Sequence, residues 1–229
     1  MARTPSRSDR PARAVARVLT SLALLALVAC TSATNGRGQR ASATSGIAQH
    51  SVVAFIGDSY TVGAGASDPS RRWSSLVAGH FGWVEKNFGV GGTGYAAPPP
   101  YLDRVAAVAV ANPSAVVVSG GFNDLYHGVA DPQFQQAAYA TFAALRSTMP
   151  HARILAIRPF YPAAPPPPGV TMFAQDVRRA VIAVGGSYLD IGSPLQGHQA
   201  DIGPDQVHPN DAGYRLLAEA VEGAFSTQH

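Results

Sequence analysis

With 229 residues, one cysteine and 14% charged residues, the chain is long enough for one sizeable core but cannot form an intrachain disulfide. Its 17 Lys and Arg outnumber 14 Asp and Glu, yet Arg3, Arg7, Arg10, Arg13, Arg17 and one aspartate fall within the first 29 residues. Beyond them stand 12 basic and 13 acidic residues, a near-neutral balance that gives no support to nucleic-acid binding.

The basic leader runs into Val18–Ala29, an uncharged apolar stretch of 12 residues. A bilayer span needs about 18–20 such residues, so residues 1–29 read as a secretory signal. Leu27-Val28-Ala29-Cys30 resembles a bacterial lipobox, which makes Cys30 the expected lipid attachment point. The expected location is then outside the cytoplasm, either anchored in the cell envelope or, if the signal is cut a few residues later, for instance after Ala33, secreted. Residues 30–50 are mostly Thr, Ser, Ala, Gly, Asn and Gln, with Ile47 the single large apolar side chain, the composition of a flexible tether. Residues 51–229 remain as one domain, expected to be monomeric.

Within that domain Val52–Ile56 closes on Gly57 and a polar pair, Asp58-Ser59, the pattern of a strand buried on both faces. The spacing of Trp73, Leu76, Val77 and Phe81 predicts a helix over 71–81. A second strand over 83–88 leads into the glycine-rich run Gly89-Val90-Gly91-Gly92-Thr93-Gly94. A helix over 101–111 must stop before Pro113, and Ala115–Val118 is a third strand. Asp131-Pro132 opens a long helix, with Asp131 as its expected N-cap and Pro150 as its stop. A fourth strand follows over 154–157, then a stiff connection from Pro159 to Gly169 with six prolines. A helix over 172–184, a fifth strand over 187–191 and a last helix over 211–225 complete the chain. Strands alternating with helices give the fold class as α/β: a three-layer α/β/α sandwich around a central, mainly five-stranded parallel sheet.

Several chemistries fail on the residues. The glycine-rich run matches G-x-G-x-x-G, but it continues into Tyr95-Ala96-Ala97-Pro98-Pro99-Pro100, with no helix N-terminus to receive a pyrophosphate. No H-E-x-x-H occurs, and Ser59 is followed by Tyr60-Thr61 rather than the glycine of a G-x-S-x-G elbow. Asp205-Gln206-Val207-His208 is more telling. At that spacing in a loop a carboxylate can hold Nδ1 of the imidazole and leave Nε2 to accept a proton. In Gly121-Phe122-Asn123-Asp124, directly after the third strand, the Asn123 amide can donate to an oxyanion. Strand ends of a parallel sheet are where ligands sit, and all three pieces fall there.

In this order the blocks resemble the SGNH hydrolases, also called GDSL-type esterases and lipases. Gly57-Asp58-Ser59-Tyr60 matches the nucleophile block, with Tyr60 where Leu is common; Asn87 to Thr93 matches the glycine block, Gly121 to Asp124 the G-x-N-D block and Asp205 to His208 the D-x-x-H block. The resemblance implies a flavodoxin-like fold and a serine ester hydrolase with Ser59 as nucleophile, His208 as base and Asp205 as its orienting acid. It also implies an oxyanion hole from the N–H groups of Ser59 and Gly92, with Gly91 as the fallback, and the Asn123 amide. Gly92 would be glycine so that its N–H can approach the substrate oxygen closely. Asp58 and Asp124 are assigned to holding their loops. No metal and no cofactor are required. With no long insertion to build a lid, an open cleft walled by Phe122, Tyr126, Phe160 and Tyr161 favours short acyl or O-acetyl esters of small-molecule, lipid or glycan partners. The alternatives are an envelope O-acyltransferase using the same triad and a non-catalytic glycan-binding lipoprotein.

Overall fold

The structure, a computed structural model, describes residues 46–162 and 164–227. The leader over 1–29, Cys30 and most of the tether lie outside the described residues.

Strand composition decides the architecture. In β1 (Val52–Gly57) the residues Val53 to Ile56 are fully buried, as are all four of β3 (Ala115–Val118). Such strands can lie only in the middle of a sheet covered on both faces. With β2 (Val84–Gly89), β4 (Arg153–Ile157) and β5 (Ser187–Leu189) they form one parallel sheet in the order β2-β1-β3-β4-β5. Side chains alternate along each strand and so split into two cores. Val53, Phe55, Ala115, Val117, Leu155 and Ile157 meet α2 (Trp73–Phe81) and α7 (Asp211–Ser226) on one face. Ala54, Ile56, Val116, Val118, Ile154 and Ala156 meet α3 (Val105–Val110), α5 (Asp131–Thr148) and α6 (Pro168–Ala183) on the other. The three-layer sandwich and the five-stranded parallel sheet are as the alternation of elements predicts.

The order reverses between β1 and β3, and at that point the connections leave the sheet on opposite faces. A crevice is left at the carboxyl ends of the two strands. Two short helices that the sequence pattern did not reveal stand there: α1 (Ser59–Val62) directly after β1, and α4 (Phe122–Tyr126) after β3. At four and five residues they are too short to show any hydrophobic period.

Some boundaries differ from expectation. Ala130, not Asp131, occupies the N-cap of α5, and the neighbouring Asp176 carboxyl on α6 raises the Asp131 pKa. Helix α6 starts at Pro168, four residues before the predicted 172, since a proline lacks only an N–H that the first turn does not use. The predicted helix over 101–111 is a 3₁₀ turn over Tyr101–Arg104 followed by α3. The domain also begins before residue 51. The Ile47 carbonyl accepts from Trp83 Nε1 at 3.3 Å, and its side chain packs on the first core.

Candidate active site

Ser59 is held at the start of α1 by its neighbours. Asp58 caps the helix, its carboxylate accepting from the Tyr60 N–H at 3.0 Å, and Gly63 ends it in the left-handed region. Gly57 has to be glycine here for space: a Cβ would fall 2.0 Å from Thr61 Oγ1 and 2.9 Å from Ser119 Oγ. The strand therefore turns into the helix within two residues, and the serine stands at the strand end. Burial raises the Asp58 pKa to about 7, against the opposing pull of the Tyr60 N–H and with some help from Asp124.

The histidine arrives from the far end of the chain. Gln206 adopts a positive φ of 61°, uncommon for a residue with a side chain, and this folds the Asp205–His208 loop back on itself. One Asp205 oxygen accepts from the N–H groups of Val207 and His208 at 3.0 and 2.9 Å; the other lies 2.6 Å from His208 Nδ1. Those three donors, the imidazole first, lower the Asp205 pKa to about 2. As an acceptor only, the carboxylate fixes the proton on Nδ1 and leaves Nε2 as an acceptor. Nε2 is 2.9 Å from Ser59 Oγ, so a hydrogen-bonded line runs from Asp205 through His208 to Ser59 across 149 residues of sequence.

Beside this line opens a cavity of about 390 Å³, lined by Ser59, Gly91, Gly92, Phe122, Asn123, Tyr126, Val207 and His208. Asn123 is buried and donates one amide hydrogen to the Thr93 carbonyl at 2.9 Å, which leaves the second for the cavity it lines. The reason for glycine at 92 differs from the expected one. A Cβ there would meet nothing within 4 Å, but φ is +77°, so the residue is chosen for its backbone conformation. Gly91, at the same rim, has ordinary φ and space for a Cβ 3.8 Å from that of Ser59.

Of the four aromatics expected at the wall, Phe122 and Tyr126 line the cavity, their rings 6.4 Å apart and nearly parallel. Tyr161 stands edge-on behind Phe122 at 5.7 Å, outside the lining. Phe160 is no wall residue. It is 4% exposed and packs beneath the site between Tyr60 and Trp73, because the chain leaving β4 turns it into the first core. Val207, which sequence reasoning passed over, takes a place in the lining as the residue preceding the histidine.

Two residues hold the loops together. Asp124 accepts from the N–H groups of Tyr95, Ala96 and Ala97 at 3.0, 2.7 and 2.9 Å, the loop-holding part read from the sequence. Arg104, for which the sequence carries no motif, donates to the carbonyls of Gly57 and Phe88 and to Thr93 Oγ1, each at 2.7 Å. It thereby ties together the ends of β1 and β2 and the glycine loop. Among the described residues no group of three or more His, Cys, Asp or Glu side chains is placed to hold a metal ion.

A family model described as the GDSL-like Lipase/Acylhydrolase family matches residues 55–216. The GDSL lipase Rv0518 of Mycobacterium tuberculosis is 31% identical over 193 residues, covering 77% of this chain and 82% of that protein. Two solved structures share the fold. TesA has a TM-score of 0.65 at 22% identity and covers 78% of this chain and 99% of its own. The psychrotrophic esterase EstA from Pseudoalteromonas sp., inhibited by monoethylphosphonate, has a TM-score of 0.65 at 17% identity, with coverage of 78% of this chain and 98% of its own. At such identities the two structures bear on the fold alone.

Proposed function

We propose that this serine ester hydrolase, which belongs to the GDSL-like lipase/acylhydrolase family, acts through Ser59, His208 and Asp205 on short acyl or O-acetyl esters. The observation that carries the reading is the line Asp205 Oδ2 to His208 Nδ1 at 2.6 Å and His208 Nε2 to Ser59 Oγ at 2.9 Å, opening on a cavity. Ser59 Oγ attacks the ester carbonyl while its proton passes to His208 Nε2. The oxyanion is bound by the N–H groups of Ser59 and Gly92 and the Asn123 amide. Collapse of the tetrahedral adduct expels the alcohol, which takes the proton from His208, and leaves an acyl-Ser59 ester. A water, deprotonated by the same imidazole, then releases the acid.

The size of the cavity and its walls, Phe122, Tyr126 and Val207, support a short acyl group on a small-molecule or glycan alcohol. The arginine-rich leader, the apolar run Val18–Ala29 and Cys30 support export, with a lipid anchor at Cys30. Turnover of p-nitrophenyl acetate and butyrate, with labelling by a fluorophosphonate probe, tests the catalytic reading. Wild type should turn over and be labelled, and Ser59→Ala should lose at least about 10⁴ in kcat and all labelling. Equal, slow rates for the two proteins refute it. Adding a glycan acceptor separates hydrolysis from O-acyl transfer: acylated acceptor in excess of free acid would make the protein a transferase.

A further inference from the structure

Tyr60 is 1% exposed and follows the nucleophile directly. Its hydroxyl donates to the Val207 carbonyl at 2.6 Å, 147 residues away in sequence, and Val207 directly precedes the histidine. The Tyr60 ring lies 5.8 Å from the imidazole and rests on Phe160, which is wedged in turn against Trp73. Burial holds the phenol protonated, so it is a fixed donor at every working pH. The neighbour of the nucleophile is thus bonded to the neighbour of the base, and around the Ser59–His208 contact the chain closes a ring of a few residues.

The remaining ties of the histidine loop are weaker for this purpose. Asp205 is exposed, and its bonds to Val207 and His208 run within the loop itself, so they shape it without locating it against α1. Gly203 N–H donates to the His208 carbonyl at 2.7 Å, again inside the segment, while the Ile202–Pro209 bridge joins the loop's two ends. The Tyr60 hydroxyl bridges from the nucleophile's element to the base's loop, in the core, where water does not compete.

We propose that Tyr60 is a positioning residue that sets the Ser59–His208 separation through its hydrogen bond to the Val207 carbonyl. The inference rests on the catalytic reading of Ser59 and His208. Tyr60→Phe removes the hydroxyl and keeps the ring. Tyr214→Phe is the control, since Tyr214 is equally buried and its hydroxyl donates at 2.8 Å to the Ala64 carbonyl rather than to the Asp205–His208 loop. Both variants should remain folded by circular dichroism with similar small losses of melting temperature. Tyr60→Phe should lose about tenfold in kcat on p-nitrophenyl acetate at unchanged KM, and the same factor in its rate of fluorophosphonate inactivation, because both steps need Ser59 and His208 in register. Tyr214→Phe should stay within about twofold of wild type on both counts. Independently of turnover, the downfield Nδ1 proton of His208 should be sharp in the wild-type NMR spectrum and exchange-broadened in Tyr60→Phe. Equal kcat losses in the two variants, or an unchanged Nδ1 proton resonance in Tyr60→Phe, would overturn the proposal. A wild type that neither turns over nor labels sinks the hydrolase reading instead, and the resonance still reports on the positioning.

Discussion

Asp205 is more than half exposed through its side chain, unlike the buried acid of the serine-protease triad, and water can take over part of what it does for the imidazole. Asp205→Ala should therefore cost about 10²–10³ in kcat, less than Ser59→Ala or His208→Ala, which a side-by-side kinetic comparison on one substrate would check. Its ionisation gives the pH dependence at this site a definite sign. With a pKa lowered to about 2, the carboxylate is present at any pH above about 4, so activity lost on milder acidification does not report protonation of this acid. Asn123→Ala removes the amide proposed as an oxyanion donor and leaves the Thr93 carbonyl without its partner. The expected result is a kcat lower by about 10²–10³ with KM little changed. Gly92→Ala tests why that residue is glycine: with open space but φ of +77°, the cost should be backbone strain of about 1–2 kcal/mol and a displaced N–H, seen as reduced kcat in a protein that still folds.

At the scale of elements, the site is assembled from connections at the carboxyl ends of the strands, and its rigidity comes from side chains that bond backbone in a neighbouring connection. Asp124 on α4 gathers three consecutive N–H groups of the segment after the glycine loop. The fit is tight enough that a Cβ on Gly94 would fall 2.0 Å from the carboxylate. Asp124→Ala would leave three N–H groups without their acceptor, two of them, on Tyr95 and Ala97, in buried residues. The loss of unfolding free energy should be about 3 kcal/mol or more by urea denaturation. Activity should fall too, because Asn123 is the adjacent residue and its amide is anchored on Thr93 in the same loop. Arg104 plays the matching part for β1 and β2, and its guanidinium stacks 4.5 Å over the Tyr101 ring.

For the whole molecule, the buried Asp58 makes stability depend on pH in the direction opposite to an ion-paired carboxylate. Its pKa is raised from 3.8 to about 7, so the folded state favours the protonated acid. Its contribution is complete below pH about 4, declines as the pH rises towards 7 and is lost above it, at most about 4 kcal/mol by linkage. Asp205 acts in the other sense, its contribution being lost only as the pH falls below about 4 towards 2. Asp58→Asn keeps an oxygen for the Tyr60 N–H and removes the ionisable group. Urea denaturation at pH 5 and pH 8 should show a smaller fall in stability for the variant than for wild type.

Much of this was written in local sequence. Uninterrupted apolar strands can be satisfied only between two layers of helices, so Val52–Ile56 and Ala115–Val118 dictated the sandwich, and four short blocks at strand ends marked Ser59, Gly92, Asn123, Asp205 and His208 as residues to be brought together. Pattern alone could not reveal α1 and α4, which are shorter than the period that would betray them, nor the early start of α6 inside a proline run. It could not tell Phe160 from Phe122 either: both are aromatics near a strand end, and only packing put one under Tyr60 and the other beside the cavity. Arg104 lies in no motif, and Tyr60 stands in its block only as a replacement for the common Leu, because both bond to backbone carbonyls, which any residue supplies and which no sequence spacing records. Sequence determined which chemistry was available, since that depends on residue type. Tertiary structure decided how it is held at 2.9 Å, since that depends on contacts spanning 149 residues.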